Sequence, residues 1–333
     1  MTAASRSDRS DRDRPYCGSV QFGAHLPLLD FGAPRRRVAG LTAFARTADE
    51  LGYRAIAAND HLTFARPWLD GVVALASVVA ASGDLTLATT AALPVIRGPV
   101  ALAQAAAALG ELSGGRLLLG VAPGSSRADY DLVGLDFADR WSLFDTAIAV
   151  LRERLSQPIW VASWGSDAGL RRVARLGDGW LASAYNSGPA DVLNGRVRLQ
   201  RERERLGVDS AELGCTVATM WTKITDRAAE RKAALDELAG LLGRSPDVLA
   251  DRLLVGPPEH CAHLVRAYAD AGVELLCLWP VGDAEDQLER FMHEVVPLAQ
   301  QLPATAARPS PPPAGRSSAA PEAAPGRPSA GPR

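Results

Sequence analysis

Three titratable residues stand where apolar, strand-like runs end: His25 after one run, and Asp60-His61 after the next. A neutral imidazole can donate to a carbonyl or hold the edge of a ring, and an adjacent carboxylate fixes its tautomer. A lone histidine is more often a packed or capping residue; two consecutive strands that set His25 and His61 side by side favour a site. Ser163-Trp164-Gly165-Ser166 follows another such run and precedes a helix-like stretch. A small polar turn at a helix N-terminus points free amides and hydroxyls at an anion such as phosphate, and Arg171 and Arg172 in the next turns add positive charge. Asp167 weighs for a plain capped helix, since a carboxylate in the first turn already answers the dipole. Tyr185, Trp221 and Trp279 also end strand-like runs. Such rings usually fill a core, but crowded at one mouth they make an apolar pocket for a flat heterocycle.

Other candidates read as structure. His260 and His263 have ligand-like spacing, but their helix turns Cys261, Leu264, Val265 and Tyr268 inward, which leaves the histidines to solvent. No carboxylate-rich strand end supports a metal site, and none is expected. Ser113-Gly114-Gly115-Arg116 and Asp178-Gly179 precede strands, so in a barrel they fall on the face where recurring motifs serve stability.

The elements that position these residues alternate without interruption. Strands are expected at Val20–Leu26, Ala55–Asn59, Leu85–Leu93, Arg116–Val121, Ile159–Ser163, Trp180–Ala184, Cys215–Ile224 and Glu274–Trp279. Helical stretches follow each, with two, at about 226–242 and 258–271, after the seventh strand. Eight strands, each followed by a helix, predict an α/β fold, a single (β/α)8 TIM barrel over residues 20–302, with every strand C-terminus on one face. A doubly wound nucleotide fold would need a glycine-rich turn after the first strand; that junction reads His25-Leu26-Pro27-Leu28-Leu29.

Both ends are expected to be disordered: residues 1–19 open on a Ser-, Arg- and Asp-rich stretch, and 303–333 is Pro/Ala/Ser-rich with no large apolar residue. A net charge of −2 argues against a nucleic-acid partner and a membrane-seeking face. Four cysteines without a CxxC pair, and no apolar signal core, favour a cytoplasmic protein with reduced thiols.

The islands also form an ordered set. Phe22-Gly23-Ala24-His25-Leu26-Pro27, Glu50-Leu51-Gly52-Tyr53 leading to Asn59-Asp60-His61, and Leu112-Ser113-Gly114-Gly115-Arg116 to Gly120 come first. Pro158-Ile159-Trp160-Val161 to Gly165, Leu176-Gly177-Asp178-Gly179-Trp180 and Ala271-Gly272-Val273 follow in order. Together they resemble the bacterial luciferase-like flavin-dependent oxidoreductases (monooxygenases) across nearly the whole barrel. The resemblance implies reduced FMN or coenzyme F-420 as cofactor. It implies that Ser163, Trp164, Gly165 and Ser166 hold the cofactor phosphate, while Asn59, Thr89, Thr90, Gly120, Val121 and Ala122 line the ring. His61, His25 and Asp60 are then the catalytic candidates, and Tyr185, Trp221 and Trp279 the substrate pocket. Two departures stand out: Asn59 replaces the family's usual serine, and only Ser156-Gln157 separates Leu155 from Pro158, where relatives carry a longer substrate-shaping connection.

The function expected is oxygenation of, or hydride transfer to, a small organic substrate. A flavin or deazaflavin reductase supplying reduced cofactor, and a homodimer, are the further partners. A cofactor-independent lyase or isomerase acting on a phosphorylated metabolite is the first alternative; it would need a lysine such as Lys223 or paired carboxylates at strand ends. A non-catalytic flavin-binding barrel is the second.

Overall fold

The computed structural model describes residues 20–29, 31, 37–208 and 213–304. The expectations for the two chain ends therefore fall on residues outside those described, apart from residues 303 and 304. Among the described residues nine strands run β1 Gln21–His25, β2 Ala55–Ala58, β3 Thr86–Ala92, β4 Leu117–Val121, β5 Ile159–Ala162, β6 Gly179–Ser183, β7 Gly214–Ile224, β8 Leu254–Gly256 and β9 Leu275–Pro280. All the strand pairings are parallel, and β1 to β7 with β9 close a ring of eight through the β6–β7 and β1–β9 pairings. The eight-stranded α/β barrel expected from the sequence is therefore present. The ninth strand is the correction: β8, which lies between the two helical stretches expected after the seventh strand, pairs with the upper end of the eleven-residue β7 outside the ring.

The helices form where the apolar spacing predicts. Asp167–Leu176 buries Gly169, Leu170, Val173 and Ala174 and leaves Arg171 and Arg175 outside, an amphipathic stripe that seats it on the sheet. Pro189–Leu206 starts on a proline and stops at Gly207, whose φ of 64° suits glycine. Strand alternation then divides two cores. Leu87, Leu117 and Leu119 face Leu102, Ala106 and Leu109 of a covering helix, while Ala55, Ala57, Ala88, Leu118, Leu275 and Cys277 fill the barrel interior. At the lower end Trp160 plugs the ring, and Gly179 and Gly214 make room for it: a Cβ at Gly214 would lie 2.7 Å from the indole. Asp178 accepts from the Ile159 amide at 2.8 Å and meets Arg152, a role in turn stability.

Candidate active site

The strand ends gather at the opposite rim, where barrel enzymes carry their chemistry. His25 ends β1 and is wholly buried. Its ring stacks on Trp279, centroids 3.6 Å apart and 12° from parallel, and Trp279 stacks on Trp221 at 4.1 Å and 11°. Register produces the row, because Trp221 is the direct partner of Trp279 across β7 and β9. That register depends on an irregularity between Val217 and Met220, where Thr219 takes a φ of 56°. A bulge of this kind reverses the inside–outside alternation. Continued from Ala218, the regular pattern would turn position 221 toward the helices. Trp68 meets Trp279 edge-on at 5.3 Å, and Phe31 meets Trp221 edge-on at 5.7 Å.

The loop between β2 and the helix Gly71–Val78 covers this row. Arg97 pins both of its ends. Its Nε donates to Asp60 at 2.5 Å, and Nη2 donates to Asp60 at 2.7 Å and to Asp70 at 2.5 Å. Toward the loop's middle, Arg66 pairs with Glu237 at 2.7 Å and lies over Phe31. The clamp places His61, whose side chain is 17% exposed, with Nδ1 3.2 Å from Asp129 Oδ2. The carboxylate that orients His61 is thus Asp129, whereas the neighbouring Asp60 is held by Arg97. Thr63 donates to the other Asp129 oxygen from its amide at 2.8 Å and from its hydroxyl at 2.6 Å. Burial pushes the Asp129 carboxyl up, but the hydrogen bonds from His61 and Thr63 outweigh it, and the pKa lies below the usual range.

Opposite the aromatic row the side chains are small. Ala91, Ala122, Ala162 and Ala218 cluster about Leu181 near the ends of β3 to β7. Gly120 belongs to this wall by necessity, since a Cβ there would lie 2.2 Å from the Thr89 carbonyl oxygen. Asn59 Oδ1 accepts from the Asp60 amide at 2.7 Å and the Ala91 amide at 3.1 Å, which ties the end of β2 to β3. The Thr90–Ala91 peptide bond is cis. Thr90 carries a buried hydroxyl without a hydrogen-bond partner. Thr89 borders the helix layer beside Leu102 and Leu119 and donates to Gly120 O at 2.8 Å, while Val121 is buried in the main core.

At the end of β5, Ser163 Oγ accepts from the Gly165 amide at 3.1 Å, and Ser166 caps the following helix through the Gly169 amide at 3.2 Å. Gly165 holds a φ of 87°, and Trp164 is half-exposed. The amides of the helix's first turn have no intrahelical acceptor and face outward from the turn. Arg172 is engaged elsewhere, donating to Asp145 at 2.5 Å and lying over Trp141, so it does not add charge to the turn. Arg198 braces the turn instead, through Gly165 O at 3.0 Å and an ion pair with Asp167.

The structure thus joins His25, Trp221 and Trp279 in one row, with His61 reaching it through Trp68 at 4.8 Å. Tyr185 stands apart. Burial raises its hydroxyl's pKa, opposed by Ser183, Arg244 and Asn186 around it. Asp129, Arg97 and Trp68 were not foreseen. Of the three, Trp68 carried a signal, an aromatic directly after a proline in a polar loop. His260 Nε2 donates to Ala250 O at 3.1 Å, and His263 is exposed. Among the described residues no cluster of His, Cys, Asp or Glu suits a metal ion. No helix among them is long and apolar enough to cross a membrane. Cys215, Cys261 and Cys277 are buried thiols, each pushed up to about 12 chiefly by burial, and so are inert as nucleophiles.

Comparison with known proteins agrees with this fold. The family model described as luciferase-like monooxygenase matches residues 27–157. Over those residues the resemblance carried by the sequence islands is borne out, and the chain as a whole folds as the α/β barrel of the structures that follow. No curated protein matches the chain by sequence. Among solved structures, an F420-dependent secondary alcohol dehydrogenase in complex with an F420-acetone adduct is similar, with a TM-score of 0.74 at 16% identity, covering 84% of this chain and 99% of that one. The coenzyme F420-dependent tetrahydromethanopterin reductase of Methanopyrus kandleri gives 0.63 at 16% identity over 84% and 99%. The oxygenating constituent of 3,6-diketocamphane monooxygenase from Pseudomonas putida, in complex with FMN, gives 0.61 at 17% over 84% and 98%. Identities this low carry the fold alone.

Proposed function

We propose that the protein is an oxidoreductase that uses reduced FMN or coenzyme F-420 at the barrel mouth to oxygenate, or exchange hydride with, a small organic substrate. The observation that carries this reading is the mouth itself: a wall of small side chains faces a wall of stacked rings. Buried polar atoms without partners, Thr90 Oγ1, His25 Nε2, Trp68 Nε1 and Trp221 Nε1, stand about it. Buried polar groups are nearly always satisfied, so unpartnered polar atoms on residues of this rim and its covering loop fit a bound polar heterocycle. A bound flavin or deazaflavin supplies the hydride or the activation of dioxygen.

The chain's residues do the rest. Ala91, Ala122, Ala162 and Ala218 present small side chains against which a flat ring would lie, and the turn from Ser163 to Ser166 offers amides to its phosphate. In the neutral His61 ring, Nδ1–H donates to Asp129, which leaves Nε2 free to take a proton from a substrate group. The loop clamped by Arg97 covers the site and excludes water. The lyase alternative loses its carboxylate pair, because Asp60 is committed to Arg97 and Asp129 to His61 and Thr63.

Titration of the purified protein with FMN, reduced FMN and coenzyme F-420, followed by indole fluorescence, tests the reading. Saturable quenching by one of them is expected, given three indoles at the mouth. No binding of any of the three would overturn it.

A further inference from the structure

His25 has a fixed proton. Its Nδ1 lies 2.8 Å from the carbonyl oxygen of Leu26, and a carbonyl can only accept, so Nδ1 carries the hydrogen. Nε2 of the neutral ring therefore holds a lone pair. That atom is buried and has no hydrogen-bond partner. The ring cannot escape by charging, because burial lowers its pKa to about 3, far more than the Leu26 bond raises it. Nor can it turn away, since it is stacked on Trp279 within the three-ring row. The indole N–H groups of Trp68 and Trp221 lie in the same aromatic assembly, yet neither donates to it, and both lack partners as well.

We propose that His25 Nε2 is the recognition point for a hydrogen-bond donor, an O–H or N–H of the molecule bound at the mouth. The residue is thus an acceptor at every working pH and acts in binding specificity, not as an acid. A leftover buried lone pair is destabilising, and a site built around one rejects ligands lacking the matching hydrogen. The unbonded indoles set the complementary requirement, an acceptor on the same molecule. Two ligand groups carry both: the imide edge of a flavin or deazaflavin ring, and the hydroxyl of an alcohol substrate. The inference rests on the oxidoreductase reading for the identity of the ligand, but its acceptor chemistry rests on His25 alone.

The experiment has two parts. In the free protein, labelled with ¹⁵N-histidine, His25 should show the Nδ1–H tautomer and no titration between pH 5 and 8. The Nε2–H tautomer, or a titration in that window, would overturn the inference even if no cofactor binds. In the second part, FMN is compared with N3-methyl-FMN, and, with FMN present, cyclohexanol with its methyl ether. In one of these pairs the donor-bearing molecule should bind at least tenfold more tightly and shift the Nε2 resonance. A preference in the first pair assigns the donor to the ring; in the second, to the substrate. His25→Phe, which keeps a stacking ring, should abolish the preference. If FMN binds but neither pair shows a preference, or the preference survives in His25→Phe, the inference fails while the oxidoreductase reading stands. Should His25→Phe fail to fold, the Nε2 shift in the unaltered protein decides alone.

Discussion

The two halves of the barrel mouth are built on opposite plans. On the β1, β9 and β7 side, three rings stack in register, and Trp68 and Phe31 close over them. On the β3 to β6 side and along to Ala218, alanine and glycine are placed where the strands end. The aromatic half contributes packing and fixed hydrogen-bonding edges of its own. The small-residue half contributes little packing, so its composition makes sense as the wall of something brought in. The same contrast separates the mouth from the lower end, where Gly179 and Gly214 give way to Trp160. Below, small residues accommodate a protein ring; above, they surround only the Leu181 side chain.

The sharpest way to break this contrast lies on the loop that covers it. His61→Ala removes both the proton acceptor and the hydrogen bond to Asp129, and turnover should fall about 10²–10⁴-fold. His61→Asn keeps a hydrogen-bonding group and should fall as far if the histidine moves a proton. Stability should change by less than about 1 kcal/mol, since the side chain is partly exposed and leaves no cavity. Unchanged turnover in His61→Ala, measured with the cofactor found to bind, would remove the residue from the site. The partner carboxylate gives a pH signature. Because the Asp129 pKa is lowered on folding, its contribution to stability is present above the ordinary carboxylate range and is lost as pH falls through the folded value. His61→Ala should raise that pKa, measurable by ¹³C carboxyl shifts.

Next in size comes the aromatic half. Trp279 is buried between His25 and Trp221, so Trp279→Ala should cost about 3–5 kcal/mol in denaturant unfolding through the cavity it leaves. A loss under about 1 kcal/mol would mean that the row is not part of the core. The small half should respond in the reverse manner. Ala122→Leu should leave stability within about 1 kcal/mol yet weaken cofactor binding tenfold or more, which is about 1.4 kcal/mol. If unfolding suffers and binding does not, Ala122 is an ordinary packing position.

How much of this was legible beforehand follows the physics of each signal. The eight ring strands and their helices announce themselves through apolar periodicity, and the strand-end position of His25, His61, Trp221 and Trp279 follows from that alone. The short β8 escaped because three residues ending at Gly256, just ahead of Pro257-Pro258, carry no periodicity. Asp129 escaped because nothing local to Arg127–Leu132 marks a partner for a histidine 68 positions earlier. Asp60 read as the natural partner for its neighbour, but adjacent residues on an extended segment point apart, and Arg97 takes it. The Trp221–Trp279 stack depends on the bulge at Thr219, which no residue in that strand announces, since threonine is the last type expected at positive φ.

The smallest expected effect concerns the turn after β5. Replacing Gly165 would confound the test, since its φ of 87° makes any side chain a folding defect regardless of ligand. Ser163→Ala is the cleaner probe. The Ser163 hydroxyl holds the Gly165 amide at 3.1 Å, and the turn otherwise keeps its Ser166 cap and its Arg198 brace. Loss of one hydrogen bond in a turn should cost about 0.5–1.5 kcal/mol of stability. If the turn cradles a phosphate, loosening its amides should weaken FMN by a few-fold and riboflavin hardly at all, because charge-assisted bonds to the phosphate are the stronger ones. Equal losses for FMN and riboflavin would place the phosphate elsewhere on the rim, and the turn would then be a capped helix start and nothing more. The outcome also bears on the two halves of the mouth. A phosphate held at the end of β5 anchors the cofactor on the small-residue side, and its ring must then lie toward the stacked rings of β9 and β7.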